Sequence, residues 1–176
     1  MKFTSPKRLL FVFFLSVNWI NAQQVLYDEF VYSMPFAAAK SLFKLKKKEY
    51  NKLALGNKSV YTLRKTSLVS DKEDELLISI SLWSKKNLNL KQAETYLKST
   101  RKYIESLGYQ TVYFQENWSK PLLIDKKKPG VRFIDPEKTI LIELESRGHV
   151  AQGGSYNIFI TYYNYQWFMN QILDSK

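Results

Sequence analysis

The chain contains no cysteine, and His149 is its only histidine. Disulfide stapling, cysteine-based zinc or iron–sulfur sites and thiol catalysis all need sulfur, so they are excluded. Any metal site built on two or more histidines is excluded as well. Glycine and proline are scarce, six and five among 176 residues. With 45% hydrophobic and 15% aromatic residues, that scarcity excludes disorder over most of the length and predicts a packed core. No apolar run reaches the length of about 20 residues that a membrane-spanning helix needs. Acidic residues are the minority charge, 16 against 27 Lys+Arg.

What is present begins with an export signal. Lys2, Lys7 and Arg8 form a positive segment, and residues 9–20 are apolar except for Ser16 and Asn18. Twelve helical residues span only about 18 Å against a hydrocarbon core of about 30 Å, too short to cross. Ala22 supplies the small residue before a cleavage point, so residues 1–22 read as a signal peptide and 23–176 as one domain. Removing three basic residues leaves 24 against 16, a surplus of eight. The expected destination is the periplasm or the cell exterior. A domain of that size buries about 68–70% of its unfolded surface and needs no disulfides.

Local patterns predict the elements. Ser33 and Pro35 open a helix over residues 34–54, with Phe36, Ala39, Phe43, Tyr50 and Leu53 on one face and Gly56 ending it. Residues 59–69 and 75–83 read as a hairpin. Asn89 and Gln92 form a capping box for a helix whose buried stripe is Ala93, Tyr96, Leu97, Thr100, Tyr103, Ile104 and Leu107, closed by Gly108. Strands are expected at 109–115, 122–125, 131–134, 139–145 and 155–163, and a short helix at 164–173. The class is therefore α+β, a mostly antiparallel sheet of five or six strands with helices packed on one face.

Three features could carry function. Alternation along 139–145 puts Leu141, Glu143 and Glu145 on one side of a strand, and the following loop, 146–154, brings Arg147 and His149. Two carboxylates and an imidazole could act as acid and base in a small hydrolase or lyase. A serine triad lacks any Gly-x-Ser-x-Gly elbow. The second feature is aromatic: Trp83, Phe159 and Tyr163 fall on the sheet face away from the expected core, where with Arg147 they could stack sugar rings or grip a peptide. The third is basic: Lys44, Lys46, Lys47, Lys48 and Lys52 crowd the first helix, and residues 126–128 are three lysines.

Together these predict a non-catalytic exported module that binds a glycan, a peptide or an envelope protein through an open aromatic sheet face. The alternatives are the Glu143/Glu145/His149 enzyme and an envelope accessory protein docking by its basic helix. No metal or other cofactor is expected. Neither is nucleic acid, because export removes the chain from it and 22 lysines against 5 arginines is a poor composition for bidentate phosphate recognition.

Overall fold

The computed structural model describes residues 24–114, 129–149 and 155–174. The expected leader, the expected strand at 122–125, the lysines at 126–128 and residues 150–154 of the expected loop lie outside the described residues. Strands β1 (Val25–Tyr27) and β2 (Phe30–Val31) pair as a small ribbon. Helix α1 (Phe36–Leu45) follows, then a 3-10 turn at Glu49–Asn51 and the short strand β3 (Leu53–Ala54). Next come β4 (Val60–Ser70), β5 (Leu77–Ser84), helix α2 (Leu90–Ser106), β6 (Gln110–Phe114), β7 (Pro129–Ile134), β8 (Ile140–His149), β9 (Ser155–Asn164) and helix α3 (Tyr165–Asp174).

The class is α+β, and the main sheet is antiparallel throughout. Among the described residues it has seven strands, more than the five or six expected, in the order β3-β4-β5-β9-β8-β7-β6. The last strand of the chain thus lies at the centre, between β5 and β8. Its neighbours are in register for side-chain sorting: Leu82, Ile160, Leu144 and Val131 form one transverse row, and Ile80, Tyr162, Ile142 and Phe133 the next. All eight are buried. This first face is covered by α2, whose Ala93, Leu97, Thr100 and Ile104 are buried. The β1–β2 ribbon joins the same core through Leu26 and Phe30 and through Tyr27, whose ring lies 5.2 Å from that of Tyr162.

Helix α2 matches its sequence signals. Asn89 accepts from the Gln92 backbone at 2.9 Å and Gln92 returns the bond at 3.0 Å. Gly108 follows with φ +92°. Leu107, expected in the stripe, is instead 57% exposed. Inside the contact with β4, the Tyr61 hydroxyl pairs with Thr100 Oγ1 at 2.6 Å, and Thr100 donates on to Ser59 at 3.2 Å. Each of these three buried hydroxyls therefore has a partner, as low dielectric demands.

The first helix is much shorter than the expected 34–54. Ser33 adopts φ +62° and donates its N–H to Leu77 O, so it belongs to a turn locked onto β5 and does not cap the helix. After Leu45 the chain turns so that Lys46 reaches the carboxylates of Asp28 and Glu29. The 3-10 turn then returns Tyr50 to the core against Phe43 and Phe30. Gly56 is not a helix terminator either. It sits after β3 at φ +85°, pressed on α2: a Cβ there would lie 2.8 Å from Ser99 Oγ and 2.9 Å from Ser99 O.

Not all helices share one face, which corrects the second part of the fold expectation. α3 lies against the opposite face, with Trp167 stacked on Tyr163 at 6.0 Å and Phe168 at 5.1 Å from the same ring. The cause is local. Asn164 Oδ1 accepts the Trp167 N–H at 2.6 Å, starting the helix directly at the strand end and folding it over that side.

Acid should loosen the β1–β2 corner first. The Tyr50 hydroxyl at 2.7 Å and the Lys46 ammonium at 3.0 Å hold the Asp28 carboxyl below the usual carboxylate range. A depressed folded pKa contributes stability above the unfolded pKa, about 4, which is lost as pH falls through the folded value. Melting temperature should therefore drop between about pH 5 and pH 3, and the drop should be shallower in Asp28→Asn. An identical acid profile in that variant would assign the loss to other carboxylates, Glu105 beside Arg101 first among them.

Candidate functional site

The register that builds the core also fixes the second face. One transverse row runs Ser81, Thr161, Glu143, Arg132, Tyr113 across five strands, and the neighbouring row runs Thr62, Trp83, Phe159, Glu145. Trp83, Phe159, Tyr163, Glu143 and Glu145 thus share the face that alternation predicts for them. β8 is longer than expected, however. It runs to His149, so Arg147 and His149 are strand residues paired with Asn157 and Ser155, not members of a loop. The side chain of His149 lies outside the described residues.

The polar row is internally bonded. Ser81 Oγ and Thr161 Oγ1 are 2.9 Å apart, and Arg132 Nε donates to Glu143 at 2.7 Å. Arg132 also lies over Phe168 of α3, 5.1 Å from its centroid. Glu145 is held by Arg147. The Tyr163 phenol is pushed well up by burial and then by the neighbouring charges of Glu143 and Glu145. Both carboxylates are thereby committed to guanidinium partners on a packed surface.

The aromatic row is a stack and not an open plate. Phe159 is only 3% exposed. Trp83 meets it edge-on at 4.6 Å, and the Arg147 guanidinium sits 4.4 Å from its ring centroid. Trp83 is itself roofed by Arg64 at 4.5 Å. The contacts Arg64, Trp83, Phe159, Arg147 place a pair of rings between two cations, an arrangement in which each guanidinium meets the negative π face. The Trp83 Nε1 hydrogen is buried and has no acceptor among the described residues.

No match to this chain is found among family models, curated proteins or solved structures. The site therefore has to be read on its own geometry.

Arg64 is the residue that sequence reading missed, and a bulge places it. Between the pairs Leu63–Leu82 and Leu68–Ile80, four β4 residues, 64–67, oppose Ser81 alone. Ser67, buried in the bulge, accepts the Arg64 N–H at 3.1 Å. Extra residues in one strand bend it and re-aim its side chains, and here Arg64 is turned back over Trp83. Among the described residues no carboxylate pairs with Arg64, and it is exposed. Each of the four described arginines lies over an aromatic ring, Arg101 over Phe114 being the one on the core side.

Of the five lysines expected on the first helix only Lys44 lies in α1, because the helix ends at Leu45. Lys46 is consumed by Asp28 and Glu29, while Lys44, Lys47, Lys48 and Lys52 are exposed. Among the described residues no helix is long and apolar enough to cross a membrane.

Proposed function

We propose that the protein is an exported, non-catalytic binding module. It takes a carboxylate-bearing glycan or peptide of the cell envelope on the second sheet face, at Arg64, Trp83 and Arg147. The observation that carries this reading is the exposed Arg64 guanidinium, 4.5 Å from the Trp83 ring centroid and, among the described residues, paired with no carboxylate. A guanidinium fork fixed by stacking is preorganised for a carboxylate, because little of its rotamer freedom remains to be lost. Phe159 supports this site from beneath. Binding is preferred to acid–base catalysis because Glu143 and Glu145 are each engaged by arginine.

The test is a thermal-shift and calorimetric screen of the purified protein against peptidoglycan fragments, uronate oligosaccharides, neutral oligosaccharides and acidic peptides. The expected result is saturable binding that persists at about 1 M salt, where the screening length is about 3 Å, and that weakens at least tenfold in Arg64→Ala. Trp83→Phe should keep the fold within about 1 kcal/mol, because it removes the unsatisfied indole donor along with some ring area. Binding unchanged in Arg64→Ala would overturn the assignment.

A further inference from the structure

A second, separate surface lies along the flank of α2. Three overlapping hollows of about 470, 360 and 230 Å³ follow the helix from Asn89 to Ser106, with the 56–58 turn as the opposite bank. A helical stretch of that length extends about 25 Å. The charged residues lining it are Lys58, Lys86, Lys91, Lys98 and Lys102, with no carboxylate among them. None of these lysines is in an ion pair with a described residue. On α2 the spacings 91, 98 and 102 set three lysines along one helix face, about 10 Å and 6 Å apart by helical rise.

The groove has a fixed wall. Gly56 brings the backbone of the turn against Ser99 of the helix, and Lys58 N–H and Ser59 Oγ both reach Ser99 Oγ at 3.4 Å. Between the lysines the lining carries neutral donors and acceptors, Asn57, Gln92, Thr95 and Ser99 among them.

We infer that this groove binds a linear acidic polysaccharide lying along α2. Five ammonium groups spread over about 25 Å suit a chain with repeated single negative charges, and the interleaved amides and hydroxyls suit its hydroxyl groups. Lysine is a hydrated point charge without a fork, so it does not demand one fixed register of the ligand. Single-stranded nucleic acid fits less well, since it calls for aromatic platforms and the two lining tyrosines are half-buried against the core: Tyr96 packs edge-on against Tyr61, and Tyr103 packs against the buried cluster. A concave strip also matches a single chain better than the flat surface of a bilayer.

The experiment measures binding of polygalacturonate to the purified protein across a salt series, beside neutral dextran, an oligothymidylate and phosphatidylglycerol vesicles. Polygalacturonate should bind at low salt and weaken steeply as salt rises, with a log–log slope of about −3.5 if about five charges release counterions. Lys98→Gln/Lys102→Gln should lower low-salt affinity at least tenfold and flatten the slope by about 1.4, with an unchanged melting temperature. Lys47→Gln/Lys48→Gln removes the same charge elsewhere and should lower affinity less than twofold. Equal losses in the two double variants would reduce the effect to net charge and overturn the groove. So would tighter binding of oligothymidylate or vesicles, or no binding of polygalacturonate. Arg64→Ala should leave the salt-sensitive component of polygalacturonate binding intact, since uronate held at the sheet face is the component that survives high salt. If that substitution abolishes the salt-sensitive component, the ligand sits on the sheet face and the groove is wrong while the sheet-face site stands.

Discussion

Phe159→Ala should be the most damaging of the single substitutions at the sheet-face site, costing about 3–5 kcal/mol of stability. The ring is almost wholly enclosed, with Trp83 edge-on at 4.6 Å and Arg147 over its face. Its removal leaves a cavity in the central strand, where the sheet on both sides restricts collapse. Two further contacts go with it: Trp83 loses the ring that positions it, and Arg147 loses its cation–π support, worth about 0.5–1 kcal/mol at a part-exposed position. For a chain of this size the loss corresponds to a melting temperature lower by on the order of 10 °C, readable by calorimetry or circular dichroism. Arg64→Ala, by contrast, should change the melting temperature by less than about 3 °C, since the side chain is exposed and only stacked. Comparable losses in the two variants would mean that Arg64 is part of the packing, and the separation between support and contact residue would be lost.

Gly56→Ala should follow with a loss of about 2–4 kcal/mol. Two costs add there. The left-handed φ of +85° is unfavourable for any residue with a Cβ, by about 1–2 kcal/mol. The new Cβ would also stand 2.9 Å from the Ser99 carbonyl oxygen, which belongs to α2 and cannot swing away as a side-chain tip could. Gly108 separates the two effects, since it has φ +92° with open space around its missing Cβ. Gly108→Ala should therefore lose only the conformational part, about 1–2 kcal/mol. Ser99→Gly in the Gly56→Ala background removes the Oγ contact but leaves the backbone oxygen, so it should restore little. Full recovery in that double variant would place the clash at the hydroxyl and not at the backbone.

How much of this could be read from residues alone differs by element. The second long helix was legible because its start signal is local: Asn89 and Gln92 bond to each other whatever the rest of the chain does. The sorting of Glu143, Glu145, Phe159 and Tyr163 to one face was equally legible, because strand alternation is strict and β8 and β9 pair without a bulge. The first helix failed where a non-local contact competed. Phe36, Phe43 and Tyr50 keep a helical spacing, yet Tyr50 reaches the core through a separate turn, directed by Asp28. The side chosen by α3 depends on Asn164 capping at the strand end, a tertiary detail that periodicity does not encode. Arg64 left one usable trace. Tyr61 and Leu63 are two apart, but the next buried aliphatic is Leu68, five further on, and that change of parity is the signature of inserted residues.

The central position of β9 also sets the order in which this molecule can be completed. Leu82 and its partner Ile160 stand 78 positions apart in the chain, so β5 is formed long before its second neighbour exists. Until residues 155–164 arrive, the sheet consists of two separate pieces, β3-β4-β5 and β6-β7-β8. Each piece carries a long unpaired edge rich in Ile and Leu. Closing that gap is a slow, long-range step, and two unprotected edges are templates for wrong pairing in the meantime. A chain stopped short of β9 would not be a slightly smaller version of this protein but two adhesive half-sheets, so the strand nearest the end of the fold is the one that makes it a single object.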